Sequence, residues 1–166
     1  MYEQLTEQDI KKIEEEIEYR RLVVRKEALE AVKEARAQGD LSENFEYYAA
    51  KRDKNKNESR IRYLEKMLKT AVVVHDESKE DEVGLNNTVT VYFEEDKTEE
   101  TYKLVTTVRG NSLKGLVTIE SPIGKALMGH KLGERVYVQV NPSFGYYVKI
   151  NKIDKTQEEN EQIRSF

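Results

Sequence analysis

From Thr6 to Gln38 the chain contains neither proline nor glycine, and that uninterrupted stretch limits what the first half can become. Apolar side chains recur through it at Ile10, Ile13, Ile17, Val24, Ala28, Ala31 and Ala35, mostly three or four residues apart, the spacing that lines one face of an α-helix. Gly39 ends the pattern, as a residue just past a helix C-terminus does. A second helix is predicted from about Ser42 to Leu68. Its strict three-four repeat runs through Tyr47, Ala50, Lys54, Asn57, Ile61, Leu64 and Leu68, apolar at both ends and polar in the middle. A sustained repeat of this kind, with charges elsewhere, is a coiled-coil seam. Two long helices joined by about four residues can only run antiparallel. About 30 residues at 1.5 Å each span ~45 Å, more than a domain of this size needs, so the hairpin is expected to project.

After Leu68 the texture changes. Ala71–Val74 is a short run of β type, and Asp76–Glu82 is acidic, without a core residue, and reads as a linker or exposed loop. Residues 88–93, 101–105, 136–140 and 146–150 alternate and are separated by Asn, Gly and Asp, which marks them as strands. Ser121 is a good N-cap with Pro122 at the first helical position, so one short helix runs to Met128 and stops at Gly129. The fold class is therefore α+β: an antiparallel coiled-coil hairpin over residues 1–75, then a small, mainly antiparallel β domain with one helix over 76–154. The polar tail from Lys155 is expected to fray.

The 36% content of charged residues exceeds that of an ordinary compact domain (~25%) and suits a long solvated helical element. No apolar run reaches the ~18 residues of a membrane span. The first ten residues do not read as a signal peptide. Without cysteine, disulfides and thiolate metal sites are excluded, and a cytoplasmic location is expected. The net charge of −4 excludes binding nucleic acid by bulk attraction to phosphates. Residues 1–70 carry 16 basic and 16 acidic side chains, so any nucleic-acid contact must come from a local basic patch or be arranged by a protein partner. Lys51, Arg52, Lys54 and Lys56 form such a patch, or simply a solvated helix face. His75 and His130 lack metal-ligand spacing, and Tyr92, Tyr137 and Tyr147 read as core packing.

The turn between the helices places Asp40 and Glu43 three residues apart at the apex, with Glu46 three further on. Two readings stay open. Asp40 could cap the second helix, with Glu43 at N3 completing a capping box. Alternatively, two carboxylates at the end of a long arm could complete a half-built Mg²⁺ site in another protein, since Mg²⁺ is commonly held by one or two protein carboxylates plus water and phosphate oxygens. One acid could serve both ends.

Ala35-Arg36, Gly39-Asp-Leu-Ser-Glu-Asn44, Glu46-Tyr47 and Ala49-Ala50-Lys51, continued by Arg60-Ile61 and Leu64-Glu65, resemble the coiled-coil tip of the GreA/GreB transcript-cleavage factors. Ser121-Pro-Ile-Gly-Lys-Ala-Leu-Met-Gly129, with Lys131, Gly133 and Val136, is similar to the family's "SPIARALLG…G" segment. The resemblance implies a β domain of FKBP-like fold that docks at the mouth of the secondary channel of bacterial RNA polymerase. Ser121, Pro122 and Ile123 would be the docking residues. It implies that the hairpin enters the channel and that Asp40 and Glu43 help the polymerase hold a second Mg²⁺ and its water. The nascent RNA 3′ end of a backtracked complex would then be cut in the polymerase active site. Asn44 and Tyr47 would support the tip, and Arg36, Lys51 and Arg52 would contact RNA or polymerase. On this reading the chain is no independent enzyme, binds no metal or cofactor alone, touches no membrane and is a monomer.

The run Arg52–Ser59 departs from the family pattern, being more basic and polar where relatives carry acids and glutamines, then an aromatic and a glycine. It leaves room for a paralogue that occupies the same channel and modulates the polymerase without cleavage. A coiled-coil adaptor or chaperone with a peptide-binding β domain is the reading from another class.

Overall fold

The computed structural model describes residues 2–39 and 44–165. The chain divides into two compact units, one holding Asp9–Val72 and the other Val73–Ser165 together with Gln4–Gln8. The expected α+β class is found: a long helical hairpin followed by a mainly antiparallel sheet.

The first arm of the hairpin is α1 (Glu7–Tyr19), a π-helical turn over Arg20–Val24, and α2 (Arg25–Arg36). The second is α3 (Phe45–Lys69). The backbone stays helical through Arg20–Val24, where Arg25 N–H donates to Arg20 O, five residues back. A π turn accommodates one extra residue and rotates everything beyond it. The seam of the first arm accordingly runs through Ile13 and Ile17, then Val24, Ala28, Val32 and Ala35, and leaves Ala31 exposed. On α3 the buried residues are Tyr47, Asn57, Arg60, Ile61, Leu64 and Met67.

The polar middle of the seam is built rather than merely tolerated. Asn57 is 4% exposed. Its Nδ2 donates to the Arg20 carbonyl oxygen at 3.3 Å, while its Oδ1 accepts from Arg20 Nη1 at 3.1 Å. Glu16 accepts from Arg20 Nε at 2.7 Å and from Arg60 Nε and Nη2 at 2.8 and 3.2 Å. Arg25 grips Glu58 with both Nε and Nη2, and Arg21 pairs with Glu65. Burial pushes the Glu16 carboxyl up, but the hydrogen bonds from Arg60 and Arg20 outweigh it and leave the group below its ordinary range.

A short strand unseen in the sequence, β1 (Glu3–Leu5), lies beside β2 (Ala71–Val73) in a two-stranded sheet. The larger sheet contains β3 (Thr88–Phe93), β4 (Thr98–Val105), β5 (Leu116–Thr118), β6 (Arg135–Asn141) and β7 (Phe144–Asp154) in the order β5-β4-β3-β7-β6. The pairs β3/β4, β3/β7 and β6/β7 are antiparallel; β5 joins β4 in parallel. One face carries Val89, Val91, Leu104, Val136, Val138, Val148 and Ile150, closed over by Leu127 of α4 (Pro122–Leu127). This alternation puts Tyr137 and Tyr147, expected in the core, on the other face. They are 45% and 43% exposed, stack on each other at 4.9 Å, and Arg135 lies 3.6 Å over the Tyr147 ring. Tyr92 is half-buried.

Two segments expected to be loose are tied down. Asp76, in the acidic loop, accepts from Ser78, from Asn87 Nδ2 at 3.0 Å and from Gln157 Nε2 at 2.9 Å. Residues 155–165 have no regular structure, yet they dock rather than fray. Lys155 Nζ donates to Ser78 Oγ, Glu82 O and Asn87 Oδ1 at 2.6–2.8 Å. The fully buried Arg109 guanidinium meets Glu161 at 2.7 Å and Glu159 at 3.1 Å, Lys103 adds a second cation to Glu161 at 2.9 Å, and Arg164 N–H donates to Val108 O at 2.8 Å. The sequence shows only a polar tail; its anchors are buried polar groups elsewhere in the same unit.

Candidate functional site

The chemistry-bearing residues of the sequence lie in and beside the turn that joins the two arms of the hairpin. Asp40 and Glu43 lie outside the described residues, but both ends of the segment that carries them are defined. On the first arm, Ala37 N–H donates to Lys33 O and Gln38 N–H to Ala35 O, tightening the last turn. Gly39 then takes φ = +109°, a backbone region that side chains with a Cβ avoid. On the second arm α3 begins at Phe45, three residues later than the sequence suggests.

The reason is Asn44. Its extended backbone (φ −88°, ψ 90°) makes it the N-cap, and its Oδ1 accepts from Tyr47 N–H at 3.0 Å. The capping role weighed for Asp40, with Glu43 at N3, therefore belongs to Asn44. The same side chain uses its other end as a tie: Nδ2 donates to the Ala35 carbonyl oxygen at 2.7 Å. One carboxamide thus starts the second helix and fastens it to the last turn of the first, which an aspartate cap could not do because a carboxylate has no donor.

Tyr47 completes the fastening. Buried in the seam, it stacks edge-on against Tyr48 with centroids 5.5 Å apart. Arg36 lies 5.7 Å from its ring centre and reaches its hydroxyl at 3.5 Å. The Arg36 hydrogen bond, helped by the charges of Lys51 and Lys54, holds the Tyr47 phenol below its ordinary pKa although desolvation pushes it upward. The basic cluster separates on folding: Lys51, Arg52 and Lys56 are exposed, whereas Lys54 turns toward the seam and is half-buried.

In the β domain, Ser121 Oγ accepts from Gly124 N–H at 3.1 Å and donates to Thr118 O at 2.7 Å. Ile123 packs against the core and Pro122 is exposed. Of the three residues suggested for docking, two thus have structural duties. His130 pairs with Glu134, and His75 lies 3.4 Å from Glu77. Among the described residues no group of three or more His, Cys, Asp or Glu could hold a metal ion, and no helix is long and apolar enough to cross a membrane. Phe45, which stands outside the three-four repeat of the seam, is 85% exposed at the start of α3.

Comparison with known proteins agrees with this layout. Residues 3–73 match the family model described as transcription elongation factor, N-terminal, and residues 77–155 match that of transcription elongation factor, GreA/GreB, C-term. The chain is 46% identical over 137 residues to transcription elongation factor GreA of Caldanaerobacter subterraneus subsp. tengcongensis, covering 82% of this chain and 87% of that protein. It is 45% identical over 152 residues to GreA of Thermoanaerobacter pseudethanolicus (91% and 96% covered). The GreA of Bacillus subtilis is 40% identical over 149 residues (90% and 94%). Among solved structures, the GreA factor homolog 1 (Gfh1) protein of Thermus thermophilus aligns at 25% identity over 92% of this chain and 99% of its own, with a TM-score of 0.43. With both family models matched in order and relatives of this identity along most of its length, the chain belongs to the GreA/GreB family of transcription elongation factors.

Proposed function

We propose that this protein inserts its hairpin into the secondary channel of bacterial RNA polymerase and stimulates cleavage of the RNA 3′ end in backtracked complexes. Asp40 and Glu43 would share a second Mg²⁺ with the polymerase. The observation that carries the reading is the division of labour at the tip. Asn44 caps α3 and ties it to Ala35, so the two apex carboxylates are not needed for capping and stand in a segment whose ends are held.

The donor set fits a shared ion and not a resident one. Two carboxylates are hard oxygen ligands of the kind Mg²⁺ takes, but too few to hold it without acids and phosphates from elsewhere. When bound, Mg²⁺ supplies an acidified water and charge neutralisation at the phosphodiester. The contribution of this chain is positional: the Asn44 and Tyr47 contacts hold the start of α3 to the first arm, and Arg36, Lys51 and Arg52 offer charge to RNA phosphate or polymerase. The β domain, through the region of Ser121, Pro122 and Ile123, would dock outside the channel and keep the tip close by effective concentration. On this reading the protein is a monomeric cytoplasmic cofactor of the polymerase, with no hydrolytic activity alone.

The test is a stalled, backtracked elongation complex with labelled RNA. The protein is expected to shorten the RNA from its 3′ end in the presence of Mg²⁺. Asp40→Asn combined with Glu43→Gln should abolish this while polymerase affinity stays within a few fold. Full cleavage by the double variant overturns the role of the carboxylates. Tight polymerase binding without cleavage by the wild type would instead make the protein a channel-occupying modulator.

A further inference from the structure

Four exposed side chains line up on the face of α3 turned away from the seam. Phe45, Tyr48, Arg52 and Lys56 stand at i, i+3, i+7 and i+11, which is one stripe of a helix. The seam residues Tyr47, Ala50, Lys54 and Asn57 occupy the opposite side, and the acids of the same turns, Glu46 and Asp53, lie between the two. Phe45 is 85% exposed and Tyr48 46%; Arg52 and Lys56 are exposed as well. The stripe is ~16 Å long at 1.5 Å per residue, with rings at the apex end and cations behind them.

Core packing does not account for the rings. Phe45 is 85% exposed and leaves its apolar area in water, and Tyr48, 46% exposed, meets the Tyr47 ring edge to face. Their direction is nonetheless set, because the two hydrogen bonds of Asn44 fix where α3 begins. Aromatic faces followed by cations form the surface that takes up single-stranded nucleic acid: a base stacks on a ring, and the backbone runs over the charges.

We propose that Phe45 and Tyr48 form a stacking platform for an unpaired base of the extruded RNA, with Arg52 and Lys56 receiving the phosphates behind it. This rests on the proposed function and names which part of the RNA the tip grips. Stacking is tolerant of sequence, so the platform would hold any 3′ nucleotide near the apex carboxylates.

The test uses a backtracked complex whose extruded RNA carries 2-aminopurine, a base whose fluorescence is quenched by stacking. The full-length wild type should quench it. Phe45→Ala with Tyr48→Ala should lose the quench and need about tenfold more protein for half-maximal cleavage, the size expected for one lost stack. Phe45→Trp should restore both. Both alanines replace exposed residues and raise helix propensity, and unchanged helical circular dichroism would confirm folding. Cleavage with no quench, or a double variant that titrates like wild type, overturns the platform and leaves the proposed function standing. Quench without cleavage overturns the function and leaves the platform standing. Absence of both with wild type overturns both.

Discussion

Asn57 and Arg20 exchange two hydrogen bonds across the middle of the hairpin, one to the arginine's carbonyl oxygen and one from its guanidinium. The carbonyl concerned is the one that also accepts from Arg25 N–H in the π turn. The irregularity of one helix and the polar seam residue of the other therefore belong to one arrangement.

Asn57→Ala should accordingly destabilise the hairpin by about 1–3 kcal/mol, the cost of leaving polar groups without a buried partner. The effect should appear as a lower midpoint of helical circular dichroism in urea. Asn57→Leu, which improves the repeat by sequence pattern, should not recover the loss, because Arg20 Nη1 would still lack the Asn57 acceptor. A leucine variant more stable than wild type would contradict the arrangement.

Glu16 makes the hairpin sensitive to acid. Its folded pKa lies below its ordinary 4.5 because the Arg60 and Arg20 hydrogen bonds outweigh desolvation. A carboxylate of this kind contributes stability that is complete above about 4.5 and is lost as pH falls through the lowered folded value. Glu16→Gln should be less stable than wild type at pH 7, and the gap should narrow as pH falls below 4. Removing one partner of a buried pair costs ~3–5 kcal/mol; Glu16 keeps some contact with water, so about 2 kcal/mol is expected. Urea midpoints of both proteins at pH 7, 5 and 3 would check the sign.

The outline of the hairpin was legible because its rule is simple: no Pro or Gly, and apolar steps of three and four. The π turn was not, since nothing marks an inserted residue locally; it shows only in the seam passing through Val32 instead of Ala31. The start of α3 was misplaced because Asp40, Ser42 and Asn44 are all good caps, and only a partner nine residues back, Ala35, selects among them. The Ser121-Pro122 helix start was legible because both residues act locally. Alternation located β6 and β7 but gave no face for the tyrosines, although Val136 and Val138 beside Tyr137 could have set the phase. Three-residue β5 has no periodicity to read.

Removing residues 156–166 should destabilise the β domain, contrary to what a frayed tail would do. The deletion takes Glu159 and Glu161 from the buried Arg109 and from Lys103. On the order of 2 kcal/mol is expected, less than for a pair broken in place, because truncation also lets water reach the guanidinium. Glu161→Gln alone should produce part of the loss. Glu161 titrates below its ordinary 4.5, the two cations outweighing burial, so this contribution too is present above about 4.5 and disappears on acidification. An unchanged denaturation midpoint after truncation would refute the docking of the tail.

Asn44 allows capping and tying to be separated. Asn44→Ala removes both functions and should cost about 1 kcal/mol through the cap alone, plus the lost bond to Ala35. Asn44→Asp keeps an acceptor for Tyr47 N–H and so keeps the helix start, but it has no donor for the Ala35 carbonyl, 2.7 Å away, and places a charge near it. The aspartate variant should therefore stay close to wild type in helix content while the start of α3 is no longer fastened to the first arm. Since a misplacement of ~1 Å at a reacting centre can cost ~100-fold in rate, cleavage at saturating protein should fall at least tenfold for both variants. On the proposed docking through the β domain, polymerase affinity should stay within a few fold. If Asn44→Asp cleaved at the wild-type rate with wild-type helicity, the tie would be dispensable, and the apex carboxylates would be positioned by the channel and not by the hairpin.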